Sequence, residues 1–417
     1  MIKRILSTLF FVPLISHAGL QQIAGFECSE HMDSASAIQL QGLPDSNKPL
    51  NLANGLTLSY SQIMALAGDF YGILGQAISE GRTSEERQNY FINAYNSLAQ
   101  NPKSVTEVPE ILKVVEYEQN KIQEGKKNGI PAEEIFKSMS EQNNRQWNCI
   151  TGGGCDSLWW LNQGRYLQLA KRGYDHFGDD AWLAYKAGHE LALNEAIKAH
   201  FNGDIKTLEY AYTLNAYASH FLSDRFSSGH LRTPFVHLVN EVTPSTIGSV
   251  LVTFMHNEEN HNGLHVHNLR GDHWIAYGDR RYFDSVNDQN TVILKEALQE
   301  SANQIYSAFT TGQIPNDESV FNLIPVADET GKNRNQDITP LFYRDESNHL
   351  LLRRSNTSNL HDKEFTSNWW GWSTLIELSK ERGLPTEVQE ELVASNNGKE
   401  ALRYGLITDK EVLKGIN

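Results

Sequence analysis

Cysteine is scarce in this chain. There are three in 417 residues, Cys28, Cys149 and Cys155, and none has the spacing of a thiolate zinc finger. Positive charge is also short: 36 Lys and Arg face 51 Asp and Glu, for a net charge of −15. That argues against a generic nucleic-acid-binding surface, though not against a local site where metal ions bring their own charge. Beyond the N-terminus no stretch approaches 18 apolar residues, so no membrane span is expected. The Gly-x-Ser-x-Gly, P-loop and dinucleotide fingerprints are absent, which leaves a serine hydrolase or a nucleotide-driven enzyme little support. Strand signals are few, and no internal repeat is evident.

Residues 1–18 read as an export signal. Lys3 and Arg4 form its basic start, residues 5–15 its apolar run, and Ser16-His17-Ala18 a small-residue cleavage site. A secreted protein is expected, and export permits a disulfide. The glycines of Cys149-Ile-Thr-Gly-Gly-Gly-Cys155 suit a small closed loop with Cys28 left over, although a bridge from Cys28 to either partner stays open.

With 40% apolar and 10% aromatic residues, the chain can bury a sizeable core. Helical periodicity is read over 60–80, 109–124, 131–144, 157–173, 180–200, 208–223, 245–255 and 291–310. Thr83-Ser-Glu-Glu86 is a capping box opening a further helix to about residue 98. Residues 256–284 are dense in His, Gly and Asn and read as loop; 326–340 read as a linker. Beyond it come a hairpin at 341–354 and helices near 373–382 and 385–394. The fold class is mainly α: a multi-helix domain over 19–325 with a long loop-rich insertion, and a C-terminal α+β extension over 341–417.

Histidine is plentiful. There are fifteen, and eight fall between His220 and His273. The stretch Ala-Ser-His-Phe-Leu-Ser-Asp-Arg-Phe-Ser-Ser-Gly-His, 218–230, holds His220-x3-Asp224-x5-His230. His220 and Asp224 share one helix face, while Ser227-Ser-Gly229 breaks the helix and brings His230 back. The bland alternative is a capped helix end with an incidental ion pair. Asp69 lies in the apolar run Met-Ala-Leu-Ala-Gly-Asp-Phe-Tyr-Gly, where a carboxylate is costly to bury unless paired or metal-bound. His176 follows Asp175, His256 is followed by Glu258, Glu259 and Asn260, and His237/Glu241 is a His-x3-Glu pair that reads equally well as an exposed helical ion pair. Neutral imidazoles with carboxylates suit zinc, and adjacent zinc ions suit phosphate-ester chemistry.

The His-x3-Asp-x5-His pattern, with Leu66-Ala-Gly-Asp-Phe-Tyr-Gly72, Asp175-His-Phe177, residues 219–234 and the Gly-Leu-x-Val-x-Asn and Gly-Asp-x-Trp-x-Ala-Tyr-Gly-Asp of residues 255–279, resembles the zinc-dependent phospholipase C and single-strand nuclease superfamily. More closely it is similar to the secreted zinc metallophospholipases C. The resemblance implies an all-helical catalytic fold with two or three zinc ions, and hydrolysis of phosphatidylcholine to diacylglycerol and phosphocholine. It implies Asp69, His176, His220 and Asp224 at one zinc, Asp224 bridging to another, and Asp69 as a candidate general base. His230 would bind a further zinc with a downstream His and carboxylate. His237/Glu241 has the family spacing; His256 with Glu259 lies at the more comfortable distance and is favoured. The third site would use His31 and the amine of Gly19, where relatives carry Trp. Phe70, Tyr71 and Trp274 are candidate head-group contacts, the alternative being core aromatics. Trp369-Trp370-Gly-Trp372 would anchor at a lipid surface or pack the tail onto the main domain. The partner implied is a phosphatidylcholine membrane surface, with no nucleic acid and a monomeric chain expected.

Overall fold

From Ala211 onward the helix Ile205–Asp224 is buried on every side: each residue from Ala211 to Asp224 is enclosed. A helix enclosed all round belongs at the centre of its fold. Its sequence allows this because Ala211, Ala216, Ala218 and Ser219 are small enough for neighbours to approach closely. Its polar groups are matched individually. Thr213 bonds Tyr95 (2.7 Å), and Asn215 bonds Tyr60, His189 and Ser301 (2.7, 3.0 and 2.8 Å).

In the computed structural model, residues 27–408 are described, apart from 47, 158, 317, 329–335, 385–387, 390, 391, 394 and 396. The expected export signal, the Gly19 amine and part of the expected 385–394 helix therefore lie outside the described residues. The helices that carry the architecture are α1 (Cys28–Ser34), α2 (Tyr60–Leu66), α3 (Ser84–Ala99), α4 (Ser104–Lys127), α5 (Ala132–Ile150), α6 (Arg165–Ala170), α7 (Gly178–Asn202), α8 (Ile205–Asp224), α9 (Ser228–Leu231), α10 (Phe235–Glu241), α11 (Ser245–Asn262), α12 (Asp288–Thr311), α13 (Glu318–Phe321) and α14 (Gly371–Arg382). The fold is mainly α. The short connection Gly203-Asp204 folds α8 back along α7; Gly203 closes α7 in the left-handed conformation (φ 62°) and the Asp204 side chain caps α8. Helix α12 packs on both, α2 crosses α8, and α3 lies on α7.

Three small antiparallel sheets complete the fold. β1 (Leu50–Asn51) pairs with β2 (Thr57–Leu58). β3 (Leu264–His267) pairs with β4 (His273–Ala276), placing His267 opposite His273, and with β5 (Val326–Ala327). β6 (Phe342–Asp345) pairs with β7 (Leu350–Arg354), which pairs with β8 (Phe365–Thr366). Cys149 and Cys155 are disulfide-bonded; Cys28 is a buried thiol whose Sγ donates to the Ala65 carbonyl at 3.2 Å.

Four stretches differ from their sequence reading, each for a local reason. The helix over 60–80 stops at Leu66, because Ala67 is extended and Gly68 turns left-handed at φ 66°. The following loop is pinned by the Asp175 carboxylate, which accepts from the Ile78 and Ser79 amides at 2.8 Å. Residues 157–173 form only a 3₁₀ turn (Trp159–Leu161) and α6. There the Asn148 side chain takes the Gly154, Trp159 and Asn162 carbonyls and the Gly164 amide, so these groups are spent outside any helical ladder. The loop-rich 256–284 contains the end of α11 and the β3–β4 hairpin. At the start of α3 the Thr83 hydroxyl accepts from the Glu86 amide (3.1 Å), but the Glu86 carboxylate reaches the Arg82 amide rather than closing the box.

The C-terminal part shares a core with α10 and α11. Leu341, Phe342, Trp372, Leu375 and Leu378 pack with Leu238, Ile247, Leu251 and Met255. Beside this core the fully buried Arg354 guanidinium forms two bonds to Glu258 of α11 (2.9 and 3.0 Å) and donates to the Thr339 and Thr357 carbonyls (2.6 Å each). Removing Arg354 leaves the buried Glu258 only the partly exposed Arg382 and takes the donor from the Thr339 carbonyl. Arg354→Ala is therefore expected to destabilise the chain by about 3 kcal/mol, read as a lower urea midpoint, whereas cutting the exposed pair Lys113–Glu110 should leave the midpoint unmoved.

Candidate metal centre

Eight imidazole and carboxylate side chains from seven parts of the fold converge at the C-terminal end of α8. His220 and Asp224 come from α8 itself. His31 comes from α1, and Asp69 from the turn after α2. His176 comes from a 3₁₀ turn (Tyr174–His176) preceding α7, His230 from α9, His256 from α11 and Asp279 from the segment after β4. Their ligand atoms fall into three groups, His31/His220/Asp224, Asp69/His176/His220 and His230/His256/Asp279, with all atoms of a group within 4.8 Å of one another.

The first two groups share His220. Its Nε2 lies 3.3 Å from His176 Nδ1, 3.7 Å from Asp224 Oδ2 and 4.0 Å from Asp69 Oδ1. Asp224 faces both ways: Oδ2 is 2.8 Å from His176 Nδ1, and Oδ1 is 3.6 Å from His31 Nε2. In the third group His256 Nε2 lies 3.0 Å from His230 Nε2 and 2.9 Å from Asp279 Oδ2. Close approach is built into two glycines. A Cβ on Gly68 would stand 2.5 Å from His220 Nε2, and one on Gly229 would stand 2.7 Å from the His256 carbonyl.

The donor set fits metal ions. His220 Nδ1 donates to the Met64 carbonyl (3.1 Å) and His230 Nδ1 to the His176 carbonyl (2.7 Å). His31 Nδ1 donates to Ser223 Oγ (2.8 Å), which itself donates to the His220 carbonyl. With Nδ1 protonated in this way, each Nε2 presents a lone pair to the interior, the outer-sphere pattern of metal-ligating histidines. Asp69, 1% exposed, has no hydrogen-bond partner for either carboxylate oxygen among the described residues, and Asp224 Oδ1 has none either. Buried carboxylate oxygens without donors are costly, and a cation between them and the imidazole lone pairs removes that cost.

The acid–base properties agree with this. Burial drives His31 and His230 down to about 3 and lowers His220 and His176, so these rings are neutral, as ligands must be. Burial also pushes Asp69 and Asp224 well above the usual carboxylate range; their ionisation calls for a compensating positive charge. His256 is the exception. Burial pulls it down, but the Asp279 carboxylate more than offsets this and raises it, while His256 helps hold Asp279 low against its own burial.

Seven of the eight residues expected from sequence as metal ligands are brought together here: His31, Asp69, His176, His220, Asp224, His230 and His256. Glu259 is not among them. Its Oε1 accepts from Arg232 Nε at 2.7 Å, and Asp279 supplies the carboxylate instead. Four residues after His256, Asn260 accepts from the Gly229 amide (2.6 Å) and the Ser227 hydroxyl (3.2 Å), tying the α9 turn to α11. His237 and Glu241 form a half-exposed pair on α10, away from the cluster (2.8 Å). Asp279 closes the run Gly-Asp-x-Trp-x-Ala-Tyr-Gly-Asp, and its signal was the preceding Gly278, where a Cβ would overlap the Asn260 side chain.

The expected head-group aromatics are placed differently. Phe70 is a core residue stacked on Tyr166 (5.0 Å) with Trp147 at its edge, and Trp274 is buried with Nε1 donating to Asn290 (2.9 Å). Tyr71 borders a cleft but its hydroxyl donates to Glu107 (3.2 Å) and its ring carries the Arg165 guanidinium at 4.6 Å. That cleft, of about 490 Å³, reaches the cluster at Gly68 and His176, with Asp175, Tyr217 and Phe221 beside them. No protein-family model matches the chain, and neither a curated protein nor a solved structure matches it.

Metal binding here should displace the Asp69 and Asp224 protons, so affinity is expected to fall roughly tenfold for each unit by which the pH is lowered, per proton displaced, measurable by titration calorimetry in buffers of different ionisation enthalpy. Asp69→Asn and Gly68→Ala should each lower the metal content of the purified chain. An unchanged content in both would remove the His220 groups as metal sites.

Proposed function

We propose that this chain is an exported, zinc-dependent phospholipase C that hydrolyses phosphatidylcholine to diacylglycerol and phosphocholine. The observation that carries the reading is the pair of His/Asp groups sharing His220, with the unpartnered oxygens of Asp69 and Asp224 beside a third group. Zinc is favoured by the donors, neutral imidazole and carboxylate with no thiol. Two nitrogens bound tetrahedrally to one zinc stand about 3.3 Å apart, the separation found between His176 Nδ1 and His220 Nε2 (3.3 Å). The groups would hold two or three ions. Cations held there supply electrophilic activation of a phosphodiester and of the attacking water.

The chain's own residues would do the rest. Gly68, lacking a side chain, leaves the His176 edge open to the cleft. Asp69, its oxygens without protein donors, is placed to orient a water or take its proton. Asp224 faces both His31 and His176 and so couples the two groups that share His220. The buried surroundings exclude bulk water and strengthen each of these interactions. The spacing His220-x3-Asp224-x5-His230 resembles that of the zinc-dependent phospholipases C, while the carboxylate at Asp279 replaces the Glu of their downstream pair.

The deciding experiment uses zinc-loaded full chain on phosphatidylcholine vesicles, with phosphocholine release as the readout and single-stranded DNA as the competing phosphodiester. Release that a strong chelator abolishes and zinc restores is expected, with His220→Ala reducing it by at least about 10³-fold, the loss of electrophilic activation. Equal release with and without chelator would overturn the reading. Cleavage of the DNA alone would make the chain a nuclease, and zinc retention without cleavage of either substrate would make it a metal-binding protein.

A further inference from the structure

The mouth of the cleft carries side chains that the chemistry at its floor does not use. The loop after α2 has its tip at Ile73-Leu74-Gly75, and both aliphatic side chains are exposed, at 38% and 41%. Gly75 is left-handed at φ 76°, and the Arg172 guanidinium lies 3.0 Å from where a Cβ on it would stand, so an apolar tip and a cation are neighbours. Lys171 lines the same mouth, as does the acidic Glu80. The facing wall comes from α10 and α11, through Val239, Asn240, Ser245, Thr246 and Ser249. Against the connection between those helices packs Gly371; a Cβ on it would lie 2.8 Å from Val242 and 3.0 Å from Ile247. Trp370 is thus next in the chain to a residue packed on the α10–α11 connection, whose Ser245 and Thr246 line the cleft. Trp370 is 51% exposed, although Trp372 is buried and Trp369 is half-buried with its indole N–H on the Leu351 carbonyl (3.0 Å).

Exposed aliphatic tips beside basic side chains and an amphipathic Trp make up the side-chain set of a bilayer interface. A soluble protein partner would give an aliphatic tip an apolar pocket, but the adjacent Lys171 and Arg172 call for anions at the same depth. A phospholipid surface supplies both at once, acyl chains under a layer of phosphates. We propose that this mouth docks onto a phospholipid bilayer, with Ile73 and Leu74 entering the acyl boundary, Trp370 at head-group level, and Lys171 and Arg172 on lipid phosphates. The proposal rests on the phospholipase reading of the cleft, since the surface then delivers a lipid to the His176 edge.

The test compares the full zinc-loaded chain with Ile73→Ser/Leu74→Ser and with Trp370→Ser. Binding is read by co-sedimentation with phosphatidylcholine vesicles, and catalysis on a short-chain phosphatidylcholine kept below its micelle concentration. Zinc content and near-UV circular dichroism report that the variants are folded. Vesicle affinity is expected to fall on the order of tenfold for each apolar side chain removed, with hydrolysis of the monomeric lipid unchanged. Vesicle binding at the wild-type level in both variants overturns the proposal. So does an equal loss of monomer hydrolysis, which would place these residues in substrate binding itself, or a shift from dimer to monomer in light scattering without lipid, which would make the patch a contact between copies. If the wild type hydrolyses neither lipid form, the phospholipase reading fails, while vesicle sedimentation still decides the docking surface.

Discussion

In the groups that share His220, three buried carboxylate oxygens, both of Asp69 and one of Asp224, have no hydrogen-bond donor among the described residues. Much of the fold around them is arranged so that this deficit persists. Around them stand imidazole nitrogens whose protons are committed elsewhere: His220 to the Met64 carbonyl and His31 to Ser223. Once Asp69 and Asp224 ionise, carboxylates and imidazole lone pairs face each other and repel. A packed interior tolerates that only where something positive completes it. The enclosure of α8 follows from the same demand, because the helix that presents His220 and Asp224 must be held on every side to keep ligand atoms at fixed separations.

The two ends of the chain support different parts of the centre. The groups sharing His220 rest on α1, α2 and α8, inside the main core. The His230/His256/Asp279 group is backed by the second core. There Phe177 stacks on the His230 ring at 4.2 Å and packs with Phe235, and the C-terminal strands and α14 close over α11. Glu258 shows how tight this backing is. It lies two residues from His256 and is gripped by Arg354 and Arg382, so the rotation of α11 about its axis is set from the C-terminal side.

Sequence made the centre legible where the ligand spacing is helical. His220 and Asp224 are four apart on one helix, and the small residues and break after them return His230. Asp69 was legible through its cost, an acid in an apolar run. Legibility ended at the backbone after α2 and at the last carboxylate. The helix expected over 60–80 ends at Leu66, since its apolar residues are buried by a loop wrapped around Asp175 rather than by a helical stripe. The downstream carboxylate was sought at helical spacing from His256 and found instead beyond a hairpin, at Asp279. Glu259 and Asp279 are both acids near histidines in sequence. What separates them is a three-dimensional fact, the Arg232 side chain that occupies one and not the other.

His176 joins the two halves. Its imidazole belongs with Asp69 and His220, while its backbone carbonyl receives His230 Nδ1 at 2.7 Å. The spacing between the groups is therefore set by one residue in a 3₁₀ turn, whose neighbour Asp175 pins the loop that follows Asp69. A shift of that turn would move Asp69, His176 and His230 together rather than separately. The separation between the groups is thus anchored on the backbone of that turn, through the His176 carbonyl that receives the His230 imidazole and the Ile78 and Ser79 amides held by Asp175.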